Sequence, residues 1–508
     1  MKPLMAAAAL LAAVASPRVA CASPSSRALA HRVLLRCAHA DAFADAALAA
    51  ALARHRPPPP ASRHAAELVF GVLRHGRGLD FVLGRFASLE RTDPPTAVAL
   101  RIGAYELLHL RTADHAAVDE AVALSEGKRR RSFVNAVLRR VARERDSLPS
   151  PEDVLDSREA ALGVATSVPD WLLAELGATH LPDFDELAAW ARATHLRPRQ
   201  SLRVNRLVAP HAAALLAELR EGGVAAEQAR AGTGGRARSG RVPRRSAPPS
   251  AQACGVPYAL VLPAGSGAIP SLPGFERGAW SVQDLAAQLV GLLAAPSAGE
   301  VVLDLCAAPG GKTTHLAELM ADSGTVIAVE RRERKLKLIH AACERLRIAC
   351  VRAYAADASD SSALLRLLRE NGAAAADHVL LDAPCSGMGT LRRNPEHRYQ
   401  SDEHIPQLVA LQGKLLDAAA ACVRPGGSLT YSVCSPLARE GVDRVVAFLE
   451  AHPEFECPAI EKAELLPFAS YCEALGGERR TLQTWTHLHP NCDSFFACRL
   501  QRRVDTSP

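Results

Sequence analysis

The spacing of apolar residues changes character near the middle of the chain. From Ser26 to Arg145 they recur every three or four positions, as in AELVFGVLRHGRGLDFVLGRF and AVDEAVALSEG, with almost no strand-like alternation. That rhythm predicts an all-α domain over residues 26–146. Pro57 to Pro60 separate two early helices and Asp93-Pro94-Pro95 punctuates the domain again, because proline lacks the amide proton a helix interior needs. Residues 147–275 read as a connector: first helical, with Pro169-Asp170 opening a helix that contains Trp171, then a strand (SLRVNRL) and a helix (AAALLAELRE) that predict a small α/β element. Within it, residues 230–254 hold six arginines among Gly, Ser, Ala and Pro and are too poor in apolar side chains to pack, so a disordered basic insertion is expected. Beyond Glu300 the pattern becomes short apolar runs, VVLDL, TVIAVE, HVLLDAP and SLTYSVC, separated by helical stretches. Continuous apolar strands alternating with helices are the mark of a parallel sheet covered on both faces, so residues 276–504 are predicted to form a doubly wound, Rossmann-like α/β domain.

Composition narrows the class. At 508 residues, 48% hydrophobic and 22% charged, the chain has material for two or three cores and is not a disordered protein. A net charge of +6 permits a polyanionic partner without demanding one. Thirteen cysteines, an odd number without any CxxC pair, speak against a disulfide framework and against a zinc ribbon, so no metal is expected and a reducing compartment is. Residues 1–25 contain an apolar run (LMAAAALLAAVAS) too short to span a membrane, and no acid precedes Asp41 while Arg18, Arg27, Arg32 and Arg36 do. The segment fits a signal peptide, an organellar transit peptide or an alanine-rich tail. The expected location is therefore the cytoplasm, or a plastid or mitochondrion if this segment targets; a monomer without membrane attachment is expected.

Five strand ends carry candidate chemistry. The first runs into CAAPGGKTT, where Gly310 and Gly311 let backbone approach a ligand and a helix N-terminus follows. Gly311-Lys312-Thr313 also fits the end of a phosphate-binding P-loop, and the strand ending at Asp382 fits that fold's magnesium-binding strand, but Cys306 stands where the first P-loop glycine belongs. The second strand ends at Glu330, placed to accept hydrogen bonds from ribose hydroxyls, and Asp357 follows the third, placed to hold an adenine amino group. Singly, such acids are more often caps or surface residues; with the glycine loop they fit an adenosine site. The fourth strand delivers DAPCSGMGTLRRNPE and the fifth YSVCSPLAREG, so Cys385 and Cys434 sit just past strand carboxyl ends, the rim where open α/β sheets bind ligands. The remaining cysteines read as buried hydrophobes. The arginines of GKRRRSFVNAVLRRVARER fit a solvated helix face as well as a nucleic-acid contact.

These residues resemble the RsmB/Sun type of ribosomal RNA small-subunit cytosine-5 methyltransferase, within the wider NOL/NOP/Sun superfamily. DLCAAPGGKTTHLAE, LLDAPCSGMGTLRRNPE, IPQLVALQGKLLDAA, PGGSLTYSVCS and CDSFFACRL fall in the family's order and spacing, and ELVFGVLR, IGAYELLHL, DHAAVDEAVALSE and SFVNAVLRR resemble its NusB-like RNA-binding domain. The resemblance implies an S-adenosylmethionine site lined by Cys306, Ala307, Ala308, Pro309, Gly310, Gly311, Lys312, Glu330, Asp357 and Asp382. It also implies catalysis by Cys434 as the nucleophile, with Asp382 pairing to the base and Cys385 assisting release, and RNA as the partner, met in part by Arg129 to Arg131, Arg139 and Arg140. The chemistry is consistent with that set, since carbon 5 of cytosine becomes nucleophilic only after a thiolate adds at carbon 6. Three positions depart from the family: Val433 replaces the threonine before the nucleophile, Glu330 replaces an aspartate, and residues 230–254 are inserted. Transfer RNA as substrate, and a catalytically silent RNA-binding assembly factor, are the alternatives.

Overall fold

The computed structural model describes residues 24–39, 43–230, 255–263, 266–462, 465–471, 475–489 and 491–504. The expected segment 1–25, apart from its last two residues, and the insertion 230–254, apart from Arg230, lie outside them. The chain divides into two compact units, Met1–Asp153 and Val154–Pro508.

The first unit is all helical: α1 Ser26–His39, α2 Ala44–His55, α3 Pro59–Leu83, α4 Pro94–His109, α5 Asp114–Ala123 and α6 Lys128–Glu144. Leu29, Leu68, Leu79, Leu100, Ile102, Val134 and Leu138 form its core. Two glycines explain how the helices approach so closely. A Cβ on Gly71 of α3 would stand 2.1 Å from the Tyr105 ring of α4, and one on Gly103 would stand 2.4 Å from Leu138 of α6. Arg27 of α1 reaches the buried Glu106 of α4 with two hydrogen bonds, 2.9 and 2.7 Å long.

The short helix α7 Pro151–Val154 spans the boundary, and the second unit continues with α8 Arg158–Thr166, α9 Asp170–Thr179 and α10 Phe184–His195. A four-stranded antiparallel sheet follows, ordered β2-β3-β1-β4 from β1 Gln200–Val204, β2 Glu227–Arg230, β3 Gly255–Leu262 and β4 Trp280–Val282, with α11 Ala212–Glu221 between β1 and β2. The large sheet is built from β5 Val301–Leu305, β6 Thr325–Glu330, β7 Val351–Ala355, β8 Ala376–Asp382, β9 Val423–Val433, β10 Phe455–Glu456, β11 Ala469–Tyr471, β12 Arg479–Gln483 and β13 Phe496–Arg502. Its order is β11-β12-β13-β9-β8-β5-β6-β7, with β10 beside β13; β7 through β9 run parallel and β13 pairs antiparallel to β9. Helices α12 Leu285–Ala294, α13 Gly311–Leu319, α14 Leu336–Leu346, α15 Ser361–Glu370, α16 Ile405–Cys422 and α17 Val442–Ala451 complete it.

Alternate residues of the central strands enter two separate cores, Val302, Val326 and Leu380 on one face and Leu303, Ile327 and Val379 on the other. Burial on both faces is why these segments read as unbroken apolar runs. The all-helical first domain and the doubly wound second are thus both present. The strand order reverses at β5, whose neighbours are β6 and β8, the point of an open α/β sheet beyond whose carboxyl ends ligands bind. Among the described residues no helix is long and apolar enough to cross a membrane, no disulfide forms, and no group of three metal-ligating side chains exists.

Candidate active site at the carboxyl ends of the central strands

β5 turns sharply into α13. Cys306 adopts φ 60° and Gly310 φ 102°, both left-handed, and a Cβ on Gly310 would stand 3.2 Å from the Ile339 backbone. Only glycine meets both demands at position 310. On Gly311 a Cβ would meet nothing within 4 Å, so the backbone there borders open space. The loop is braced from behind: Thr313 Oγ1 donates to Asp304 Oδ2 at 2.6 Å and Thr314 Oγ1 to the Gly310 carbonyl at 2.9 Å. Arg203 of β1, 2% exposed, forms two hydrogen bonds to Glu318 of α13 at 3.0 and 2.6 Å. It also donates to the Gly311 carbonyl at 2.7 Å and to Thr314 Oγ1 at 2.9 Å.

Acids surround this loop. Glu330, buried at the end of β6, accepts the Arg332 amide at 2.9 Å through Oε1. Asp357, exposed beyond β7, uses Oδ1 for the amide and hydroxyl of Ser359 at 2.9 and 2.7 Å, which holds its carboxyl below the usual range. Asp304, fully buried, has Oδ1 without a partner; burial, reinforced by Asp382, pushes its carboxyl up to about 7. Cys306 feels all four carboxylates, and burial followed by Asp382, Asp304, Glu330 and Asp357 raises its thiol to about 12.

The reactive rim lies beyond β8 and β9. Lys312 Nζ sits 2.6 Å from Asp382 Oδ2, and Ser432 Oγ donates to Asp382 Oδ1 at 2.9 Å. Although burial works against the ammonium, Asp382, Cys434 and Asp304 together raise its pKa, so Lys312 stays charged beside Cys434. Cys434 Sγ and Cys385 Sγ, both half-buried, stand 3.2 Å apart. Contact with Cys434, then burial, pushes the Cys385 thiol well above its usual range.

All the predicted site residues therefore come to one rim, in two groups: the glycine loop with Glu330 and Asp357, and the Lys312–Asp382 pair with the two cysteines. Sequence reading missed Asp304, Arg203 with Glu318, and Gln412 with Glu440. Asp304 was visible as an acid inside an apolar strand, VVLDL, and Arg203 as a charge within SLRVN. Also missed was the network in which Arg393 reaches Asp284 at 2.6 Å and Asp493 at 2.8 Å, with Arg392 at 3.2 Å from Asp493. Its partners are distant in sequence and carry no local signal.

The open backbone at Gly311, the buried Glu330 and the unpartnered Asp304 oxygen fit an adenosine bearing a cationic centre. Sheet order, glycine loop and acid ring together define a methyltransferase of the doubly wound class, and S-adenosylmethionine is its cofactor. Comparison with known proteins makes the assignment closer. A family model described as 16S rRNA methyltransferase RsmB/F matches residues 291–501, and the NusB family model matches residues 24–143. The chain is 32% identical over 447 residues to a probable ribosomal RNA small subunit methyltransferase B of Synechocystis, covering 86% of this chain and 92% of that protein. A Bacillus subtilis protein described in the same words is 31% identical over 443 residues, covering 86% and 90%. The chain belongs to the ribosomal RNA small subunit methyltransferase B family. In fold it is similar to PH0851 (TM-score 0.73, 24% identity, covering 94% of this chain and 99% of that one). It is also similar to a methyltransferase homolog protein from Pyrococcus horikoshii (TM-score 0.53, 21% identity, covering 68% and 100%).

Proposed function

We propose that this enzyme methylates carbon 5 of a cytosine in small-subunit (16S-type) ribosomal RNA through a covalent bond between Cys434 and carbon 6. The pairing of Cys434 with Cys385 at 3.2 Å, beside the Lys312–Asp382 ion pair at 2.6 Å, is the observation that carries this reading. The glycine loop 306–312, Glu330 and Asp357 hold S-adenosylmethionine, which when bound supplies an electrophilic methyl group. The target base is unstacked into the pocket, because an enzyme cannot reach carbon 6 within a helix. Lys312 stabilises the Cys434 thiolate, which adds to carbon 6. Asp382, oriented by Lys312 and Ser432, passes a proton from the Lys312 ammonium to ring nitrogen N3 as negative charge builds there, so that the charge on the base is neutralised and the ammonium is left as the amine. Once carbon 5 carries the methyl group its proton leaves to a base. The electrons of that C–H bond then restore the 5,6 double bond, and those of the C–S bond return to Cys434. Cys385 assists this release. A silent assembly factor would have no use for two thiols held at this spacing.

The enzyme works as a monomer on RNA, away from membranes, in the compartment of its ribosome. N-terminal sequencing of the native protein separates a cytosolic chain, with Met1 intact, from an imported one cleaved near Ala22. The decisive experiment is transfer of labelled methyl to protein-free small-subunit RNA. Label at carbon 5 of cytosine, abolished by Cys434→Ala and replaced by a stalled covalent complex in Cys385→Ala, is the expected result. Tight RNA binding without any transfer by the wild type overturns it, and transfer to transfer RNA alone moves the substrate assignment.

A further inference from the structure

We infer that Glu440 and Gln412 are positioning residues for the release half of the reaction, clamping the loop that carries Cys385 onto the loop that carries Cys434. Glu440 is fully buried in the segment that follows Cys434. Its Oε1 accepts the Ser386 amide at 2.8 Å and Gln412 Nε2 at 3.1 Å, and its Oε2 accepts Ser386 Oγ at 2.5 Å. Gln412, on α16, donates through the same Nε2 to the Pro384 carbonyl at 2.9 Å. Both residues flanking Cys385 are therefore held. The Glu440 main-chain carbonyl in turn accepts Tyr431 OH at 2.6 Å, and the Gly389 amide donates to the Cys434 carbonyl at 3.0 Å, so the clamp is tied to the strand and loop of the nucleophile.

Burying a carboxylate is expensive unless it is compensated. Among the described residues no arginine or lysine forms an ion pair with Glu440, and its compensation is the set of N–H and O–H donors that fixes the proline-cysteine loop. An acceptor-only group can take all of them at once; an amide could not. The same negative charge adds to the contact with Cys434 and the burial that push the Cys385 thiol well above its usual range. The clamp thus fixes the 3.2 Å separation of the two sulfurs and helps keep Cys385 protonated. This inference rests on the covalent reading above, in which Cys385 acts at release.

The test is single-turnover methylation of small-subunit RNA by the full chain, resolving free methylated RNA from the protein-linked species on a denaturing gel. A displacement of about an ångström at a reacting group costs on the order of 100-fold in rate. In Glu440→Ala and Gln412→Ala the methyl group is expected to enter RNA at nearly the wild-type rate and remain protein-linked, with release slowed about 10- to 100-fold. Glu440→Gln keeps the size of the side chain but removes the charge and part of the acceptor set. In a Cys434→Ser background without RNA, it is expected to move the pH at which iodoacetamide alkylates Cys385 downward by more than Gln412→Ala does, since Gln412→Ala loosens the same loop but leaves the Glu440 charge in place. Release unimpaired in both alanine variants, or methyl entry and thermal midpoint falling in step with release, overturns the inference. If Glu440→Ala fails to fold, Gln412→Ala, which removes only two hydrogen bonds, still decides. Failure of the wild type to label RNA would instead refute the covalent reading itself.

Discussion

Arg203→Met should separate the bracing of the cofactor loop from its chemistry. Arg203 and Glu318 are each 2% exposed and share two hydrogen bonds, while the guanidinium also holds Gln283, Thr314 and the Gly311 carbonyl. Removing one partner of a buried pair leaves the other charge uncompensated and costs about 3–5 kcal/mol. For a unit of this size that corresponds to a drop in thermal midpoint on the order of 10 °C. Burial already lifts the Glu318 carboxyl above its ordinary value against the pull of Arg203, so in the variant it rises further. A carboxyl raised in the folded state binds its proton more tightly there than when unfolded. The deficit should therefore be full at neutral pH and shrink as pH falls through the raised value. Adding Glu318→Leu removes the orphaned charge and should recover at least half of the loss. Calorimetry of wild type, both single variants and the double variant between pH 5 and 8 provides the readout, with calorimetric titration of S-adenosylmethionine reporting the loosened Gly311 turn. A double variant as unstable as Arg203→Met would sink the argument, because the penalty would then not be the stranded carboxylate.

Other outcomes follow from the same site. Asp304, raised to about 7 from an ordinary 3.8, should make the cofactor-free protein lose a few kcal/mol of stability as pH climbs from 4 to 7; Asp304→Asn should flatten that slope in urea titrations. Gly310→Ala forces a side chain into φ 102° and against Ile339, and should cost about 1–3 kcal/mol with a matching loss of S-adenosylmethionine affinity; an unchanged dissociation constant would detach the loop from the cofactor. On α6, Arg130 pairs with Asp93 and Arg140 with Glu144, whereas Lys128 and Arg129 pair with no acid among the described residues. Lys128→Ala with Arg129→Ala should therefore reduce the salt slope of RNA binding by about 2, read by fluorescence anisotropy at several salt concentrations. An unaltered slope would place the RNA elsewhere.

Much of this was legible along the chain because the physics involved is local. Periodic apolar spacing fixed the helical first domain, unbroken runs such as VVLDL and TVIAVE fixed the buried parallel strands, and CAAPGGKTT and the two cysteine motifs marked the strand ends where chemistry collects. Gly310 was recognisable as a backbone requirement before its φ was known. What only the tertiary structure decided were relations between distant residues: the 3.2 Å approach of Cys385 to Cys434, the pairing of Lys312 with Asp382, the buried Arg203 behind the loop, and the Glu440–Gln412 clamp. A buried charge is stable only beside its partner, and for Arg203 and Glu318 that partner lies 115 residues away. Hydrophobic periodicity is written residue by residue; electrostatic compensation is not, and it exists only once the sheet has brought the strand ends together.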